Sequence, residues 1–279
     1  MAFDGITVAG LCRELQDSLT GGRVYKIAQT DKNELVLTIR LAAERGGGQV
    51  RLYLSADPSL PLVYLTKVSR QAPLQAPAFC MLLRKHLQNA RIISIGQPGL
   101  ERIIQIRFEH RNEMGDLCTH VLAVEIMGKH SNIIFLNDDE TIVDSIRHVS
   151  SLVSSVREVL PGRPYFIPDT QSKKDPLSES REGFFQVLGA GHMEVAKLLV
   201  RSYTGFSPVA AQELVHLAGL SQDRSAALLP DSEKEALWQR FGNLISRIRE
   251  GDFLPTMYCR PGESGMGHFL PGQQPASEK

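Results

Sequence analysis

Val124-Glu125-Ile126-Met127-Gly128-Lys129-His130-Ser131-Asn132-Ile133-Ile134-Phe135-Leu136 is the stretch from which the fold is read. Apolar, β-branched runs stand on either side of a polar segment, and their partial alternation is the pattern of strands. Gly128 to Asn132 supply the turn, because Gly and Asn tolerate backbone angles that other residues avoid. The stretch therefore predicts a hairpin whose tip carries a cation, an imidazole, a hydroxyl and an amide. Taken alone, those residues fit an ordinary surface turn as well as a contact site.

Upstream, Ile6, Leu11, Leu15 and Leu19 recur at near-helical spacing, and Gly21-Gly22 closes a helix over 6–19. A strand follows over Arg23–Gln29. Leu35, Leu37, Ile39 and Leu41 alternate with Val36, Thr38 and Arg40, which predicts a half-buried strand; Val50, Leu52 and Leu54 repeat the pattern after Gly46-Gly47-Gly48. No GK[ST] follows those glycines, so they are not a phosphate loop. After a strand at Leu62–Val68, Pro73 and Pro77 frame a linker, and Pro77 suits the first turn of a helix. In that helix Phe79, Leu82, Leu83 and Leu87 share a face, with Arg84 and Lys85 outside it and His86 beside it as a hydrogen-bonded structural histidine. Cys80 reads as a small buried hydrophobe. Further strands are expected around Arg91–Ile95, Arg102–Phe108, His120–Ile126 and Ile142–Val149, before a boundary at Pro161, Pro164 and Pro168.

Beyond that boundary the periodicity turns helical, over Arg181–Leu188, Met193–Tyr203, Pro208–Ala218 and Ser232–Arg249. Thr204-Gly205-Phe206-Ser207-Pro208 joins two of these helices, with Ser207 placed to cap the helix that Pro208 begins. Such a helix, tight turn and helix fits a helix-hairpin-helix, whose amides can hold a nucleic-acid phosphate, although the pattern alone favours a plain helical bundle. From Glu179 onward 10 Lys+Arg stand against 12 Asp+Glu, which argues against a strong grip on DNA. The predicted organisation is α+β: a β-rich domain over 1–178, an all-α domain over 179–252, and a short strand at Phe253–Tyr258 leading a Gly/Pro-rich tail over 253–279.

The chain has 279 residues and is 42% hydrophobic, enough to bury a full core. No apolar run approaches the ~20 residues of a membrane helix, and the N-terminus lacks a basic signal region, so a cytoplasmic protein is expected. Cys12, Cys80, Cys118 and Cys259 form no CxxC pair, so neither metal nor cofactor is expected. The net charge is zero, yet residues 1–111 carry 15 Lys+Arg against 9 Asp+Glu, and Pro58 to Leu100 contain no acid at all. Such a distribution can form a local positive face that includes some of Arg84, Lys85, Arg91 and Arg102. No nucleophile elbow, HExxH or paired catalytic carboxylate is apparent, so no catalytic residue is assigned.

VEIMGKHSNII at Val124–Ile134 resembles the NFACT-N domain of the RqcH proteins, bacterial ribosome quality-control factors long labelled fibronectin-binding protein A. Matches in the same order include Phe3-Asp4-Gly5, Gly21-Gly22-Arg23-Val24, Ala78 through Leu87 (AFCMLLRKHL), Gly99-Leu100-Glu101-Arg102-Ile103 and Val159-Leu160-Pro161-Gly162. The resemblance implies an N-terminal fold like that of formamidopyrimidine-DNA glycosylases, followed by a helix-hairpin-helix region. It implies binding of tRNA and of the large ribosomal subunit carrying stalled peptidyl-tRNA. It further implies recruitment of alanyl-tRNA for C-terminal alanine tailing, with neither DNA nor membrane as partner. The family's acid–Arg pair falls on Glu101-Arg102, with Glu in place of the usual Asp, a change of about 1.5 Å in reach. An early family Asp falls on Asp4. Arg23, Arg84, Lys85, Lys129, His130 and Asn132 are the further candidates for RNA or ribosome contact. A coiled-coil hairpin and an NFACT-R domain normally follow in the family, so the chain is expected to be an N-terminal part.

Two other functions remain open. A glycosylase/lyase would need an N-terminal Pro amine followed by Glu, where this chain has Met1-Ala2-Phe3, and it would need a zinc-finger cysteine set. A fibronectin-binding surface adhesin, as the older label suggests, would need export features that the sequence does not display.

Overall fold

The computed structural model describes residues 3–43, 46–112, 114–169 and 172–255. Their contacts define two compact units. One comprises described residues within Met1–Glu14, Gly96–Ile104 and Ile167–Phe253, and the other those within Leu15–Ile95 and Gln105–Phe166. The first two segments of the former lie far upstream of the boundary near residue 178 expected from sequence. The division is therefore discontinuous along the chain.

Nine strands form one sheet: β1 (Arg23–Asp31), β2 (Glu34–Arg40), β3 (Gln49–Ser55), β4 (Leu62–Thr66), β5 (Arg91–Gly96), β6 (Ile103–Arg111), β7 (Leu117–Glu125), β8 (Asn132–Asn137) and β9 (Ile142–Ser145). Their spatial order is β4-β3-β2-β1-β5-β6-β7-β8-β9. The alternation in β2 and β3 sets an antiparallel register in which Leu35 faces Leu54, Leu37 faces Leu52 and Ile39 faces Val50. β2 is not half-buried as its alternation suggests, however. It lies inside the sheet, and Val36 and Thr38 on its second face are buried too. β6 begins at Ile103, one residue later than expected, and β9 ends at Ser145 rather than near Val149.

The hairpin predicted at Val124–Leu136 is formed by β7 and β8, with Val124 opposite Ile133 and Glu125 opposite Asn132. A 3-10 turn at Gly128–His130 makes its tip, and Gly128 adopts a φ of +57° that suits glycine. Arg147 Nη1 clamps this tip by donating to the carbonyls of Lys129 (3.1 Å) and Ser131 (3.0 Å). Next to this tip the Glu125 carboxylate is wholly buried, paired with Arg157 and accepting from the Tyr165 hydroxyl at 3.1 Å. A buried charge of this kind is tolerated only with such partners.

Helix α1 (Gly5–Leu19) buries Val8, Cys12, Leu15 and Leu19, a stripe displaced by part of a turn from the one expected. Helix α2 (Ala78–Leu87) follows Pro77, which occupies the capping position, and buries Phe79, Cys80, Leu83 and Leu87. Arg84 ties α2 to the sheet, its Nε donating to the Ile27 carbonyl of β1 at 2.9 Å.

The helical core is built by α3 (Arg181–Ala190), α4 (Val195–Ser202), α5 (Pro208–Leu217) and α6 (Asp231–Glu250). Phe184, Tyr203, Phe206 and Phe241 converge at its centre, with Phe184 and Phe241 ring centroids 4.7 Å apart. Burial of each such side chain contributes about 1.5–3 kcal/mol. The Tyr203 hydroxyl donates to Glu179 Oε2 at 2.9 Å, so its polar end is satisfied. The strand expected at Phe253–Tyr258 is not formed over 253–255, and its remainder lies outside the described residues.

Candidate nucleic-acid interface

Arg102 is held by a turn whose backbone has little freedom to move. The Glu101 amide donates to the Pro98 carbonyl at 3.0 Å, and Gly99 at φ +51° closes the bend. Gln97 Nε2 donates both to the Glu101 carbonyl (2.6 Å) and to the Gly5 carbonyl (2.8 Å). The Gly5 amide in turn donates to the Gly205 carbonyl at 3.0 Å. A Cβ on Gly5 would stand 2.0 Å from the Leu100 carbonyl oxygen and 2.5 Å from the Gly205 Cα. Three backbone segments are thus in contact at a point where only glycine fits.

Asp4 lies beside this junction and works for the fold. Its Oδ1 accepts from the Thr7 amide and the Thr7 hydroxyl, both at 2.8 Å, capping α1. Its Oδ2 accepts from the Ser207 hydroxyl at 2.5 Å. The Ser207 oxygen itself accepts from the Ala210 amide at 3.2 Å and caps α5, as its place before Pro208 predicts. Gly205 takes a φ of +83° in the turn between α4 and α5, giving the expected helix, tight turn and helix.

Arg102 extends from the turn as an exposed cation. Glu101 beside it is partly buried, and burial pushes its carboxyl above the ordinary range. The charges of Arg102 and Lys173 oppose that rise, and Asp169 adds to it. Burial, and then Arg102, pull the Lys173 amine below its usual value, while Glu101 raises it. Sequence reasoning missed Lys173, since nothing local connects it to Glu101. It also lines a cleft of about 740 Å³ with Glu194, Lys197, Arg201, Gln212 and Gln222. Lys197 is paired there with Glu194 at 2.8 Å, which leaves Lys173 and Arg201 as the cations that could meet an anion.

In the sheet unit the register assembles a second basic feature. Arg23 pairs with Arg40 on one side and Arg91 on the other, giving three exposed arginines abreast on β2, β1 and β5. Like charges directly opposite across strands are destabilising, so an anionic partner would relieve the row. Arg40 stacks over Tyr25 at 4.1 Å, and Arg23 Nη1 donates to the Asn89 carbonyl at 3.1 Å. Lys85 is exposed, whereas Arg84 is partly buried and its Nε is committed to Ile27. At the hairpin tip Lys129 and His130 are exposed.

Asn132 departs from the expected contact role. It is 2% exposed, its Nδ2 donates to the Arg147 carbonyl at 2.9 Å, and its Oδ1 accepts from the amides of Ile133 and Arg147. With its amide atoms bonded to backbone inside the protein, it fixes the tip rather than meeting a partner.

Residues 4–278 match the family model of the NFACT N-terminal and middle domains. The chain belongs to this family. It is 37% identical over 258 residues to the Rqc2 homolog RqcH of Bacillus subtilis, covering 92% of this chain and 43% of that protein. The chain thus spans less than half the length of that relative. Among solved structures it is similar to the N-terminal part of the fibronectin/fibrinogen-binding protein from Streptococcus suis. That match has a TM-score of 0.73 and 32% identity, covering 86% of this chain and 85% of that one. The N-terminal domain of fibronectin-binding protein PavA from Streptococcus pneumoniae matches with TM-score 0.70 and 35% identity, covering 87% and 84%.

Proposed function

We propose that this chain is the tRNA- and large-subunit-binding part of a cytoplasmic ribosome quality-control factor, one that recruits alanyl-tRNA for alanine tailing of stalled nascent chains. The family and the similarity to an Rqc2 homolog support the quality-control role. The observation that carries the RNA-binding reading is Arg102, an exposed guanidinium on a turn locked by its neighbours and flanked by Glu101 and Lys173. A planar fork of donors projecting into solvent from such a turn suits a phosphate or a base edge. The exposed arginine row and the tip residues Lys129 and His130 offer further contacts. The chain is assigned no catalysis of its own, and its role is to bind and position RNA. Among the described residues no helix is long and apolar enough to cross a membrane.

The test is tRNA binding by the purified chain over a range of salt, with and without Arg102→Ala, and alanine tailing by the full-length protein with purified large subunits. Binding that weakens with salt and with Arg102→Ala supports the reading, and salt-independent or absent binding overturns it. A second reading takes up the fibronectin-binding names of the solved relatives. Retention on immobilised fibronectin that persists without tRNA binding would favour it.

A further inference from the structure

His86, His110 and His120 come from three elements, α2, β6 and β7, and their ring nitrogens converge. One nitrogen of each lies within 4.8 Å of the others. His110 Nε2 and His120 Nδ1 are 3.0 Å apart, and the His86 and His120 ring centroids are separated by 5.1 Å. The Phe135 ring stacks on His120 at 4.8 Å and 9°. His120 is buried and the other two are partly exposed, so the cluster has a closed floor and an open side.

The hydrogen bonds favour one proton arrangement. His110 Nδ1 lies 3.2 Å from the Arg111 carbonyl, an acceptor, so that nitrogen carries the proton. His110 Nε2 is then a lone pair directed at the cluster, and His120 Nδ1 donates to it. A ligating histidine with its other nitrogen donating to a backbone carbonyl is the usual outer-shell support of a metal site.

We propose that His86, His110 and His120 bind a single first-row divalent cation of the zinc class, with solvent as the fourth ligand. Neutral imidazoles suit such ions, and three histidines with one open position form a known zinc arrangement. Zinc bonds of 2.0–2.1 Å require nitrogens about 3.3 Å apart, so the 3.0 Å pair widens slightly and His86 turns inward. If His120 ligates through Nδ1, its proton moves to Nε2 and the step is neutral in charge and protons. The ion would fasten α2 to β6 and β7, independently of any RNA-binding role.

The experiment uses the complete chain without a polyhistidine tag, stripped with chelator and titrated with zinc chloride by calorimetry and with cobalt(II) by visible absorption. The expected result is one equivalent bound with micromolar or tighter affinity, a tetrahedral cobalt spectrum and a raised melting temperature. His110→Gln and His86→Gln should each weaken binding at least about tenfold, with metal-free melting unchanged, while His130→Gln at the hairpin tip should leave binding intact. If one of the two cluster variants fails to fold, the other decides. Millimolar binding, an octahedral cobalt spectrum, or equal affinity in wild type and the folded cluster variant would overturn the site.

Discussion

Asp4 and Ser207 each cap a helix, and their side chains are joined by a 2.5 Å hydrogen bond from the Ser207 hydroxyl to Asp4 Oδ2. The start of α1 and the start of α5 therefore share one carboxylate. Asp4→Ala removes the α1 cap and the partner of the Ser207 hydroxyl. Loss of about 1–2 kcal/mol of stability is expected, read from denaturant unfolding. Unchanged stability together with lost tRNA binding would instead make Asp4 a contact residue.

Arg102 should behave in the opposite way. Because the side chain is exposed, Arg102→Ala is expected to change stability by no more than about 0.5 kcal/mol. If the guanidinium meets phosphate, tRNA affinity falls and the slope of log affinity against log salt drops by about one. In the full-length protein tailing should be abolished. A variant that unfolds while its folded fraction tails normally would make Arg102 structural.

Glu101 carries a stability cost that depends on pH. Burial raises its carboxyl in the folded chain above the ordinary 4.5, so the folded state keeps this proton to higher pH than the unfolded state does. Stability from this group is fully present below the unfolded value and is lost as pH rises through the folded one. Glu101→Gln should therefore raise the melting temperature at neutral pH and flatten this part of the profile, while weakening tRNA engagement. Glu101→Asp should retain tailing. A glutamine variant that melts lower at neutral pH would show that the carboxylate stabilises the fold.

Gly5→Ala should be among the most damaging small substitutions. The new methyl meets backbone atoms of Leu100 and Gly205, which cannot swing aside as a flexible side chain would. A loss of several kcal/mol, or failure to fold, is expected. Gly242→Ala in α6 is the matched control. Nothing lies within 4 Å of its Cβ position, so a gain of about 0.5–1 kcal/mol is expected by thermal melting. Equal melting of the two variants would remove the argument for a tight junction.

The arginine row makes a separate prediction. Arg91→Thr relieves like-charge repulsion at the end of β5 and should leave stability unchanged or slightly higher. If the row meets RNA, the same variant weakens tRNA binding and lowers its salt slope. Unaltered affinity would make the row a solvated surface.

The fold was legible where a local pattern dictates it. Alternation in Leu35–Ile39 and Val50–Leu54 announced two strands, which pair antiparallel as neighbours, and Ser207-Pro208 announced the start of α5. Burial on both faces of β2 was not legible, because Val36 and Thr38 resemble a half-exposed face until the neighbouring strands are known. Glu101-Arg102 stood out through family resemblance, since an adjacent acid and arginine carry no signal of their own. Lys173, Arg40 in its row and the partners of His86 were hidden for a common reason. Each joins its neighbours through strand register or chain return, information that a linear spacing does not contain. Asn132 was misjudged because a polar residue at a hairpin end looks like surface until its hydrogen bonds are counted.

The junction of Gly5, Leu100 and Gly205 also sets where the polypeptide can be cut. A fragment starting near residue 179 would contain α3 to α6 yet leave behind the Asp4 carboxylate that supports Ser207 and the Leu100 backbone that packs on Gly205. Its hairpin between α4 and α5 would face solvent with a buttress missing. Dissection of this protein by simple truncation therefore removes structure from the part that is kept, and a stable helical fragment has to bring residues 1–14 and 96–104 along by a redesigned connection.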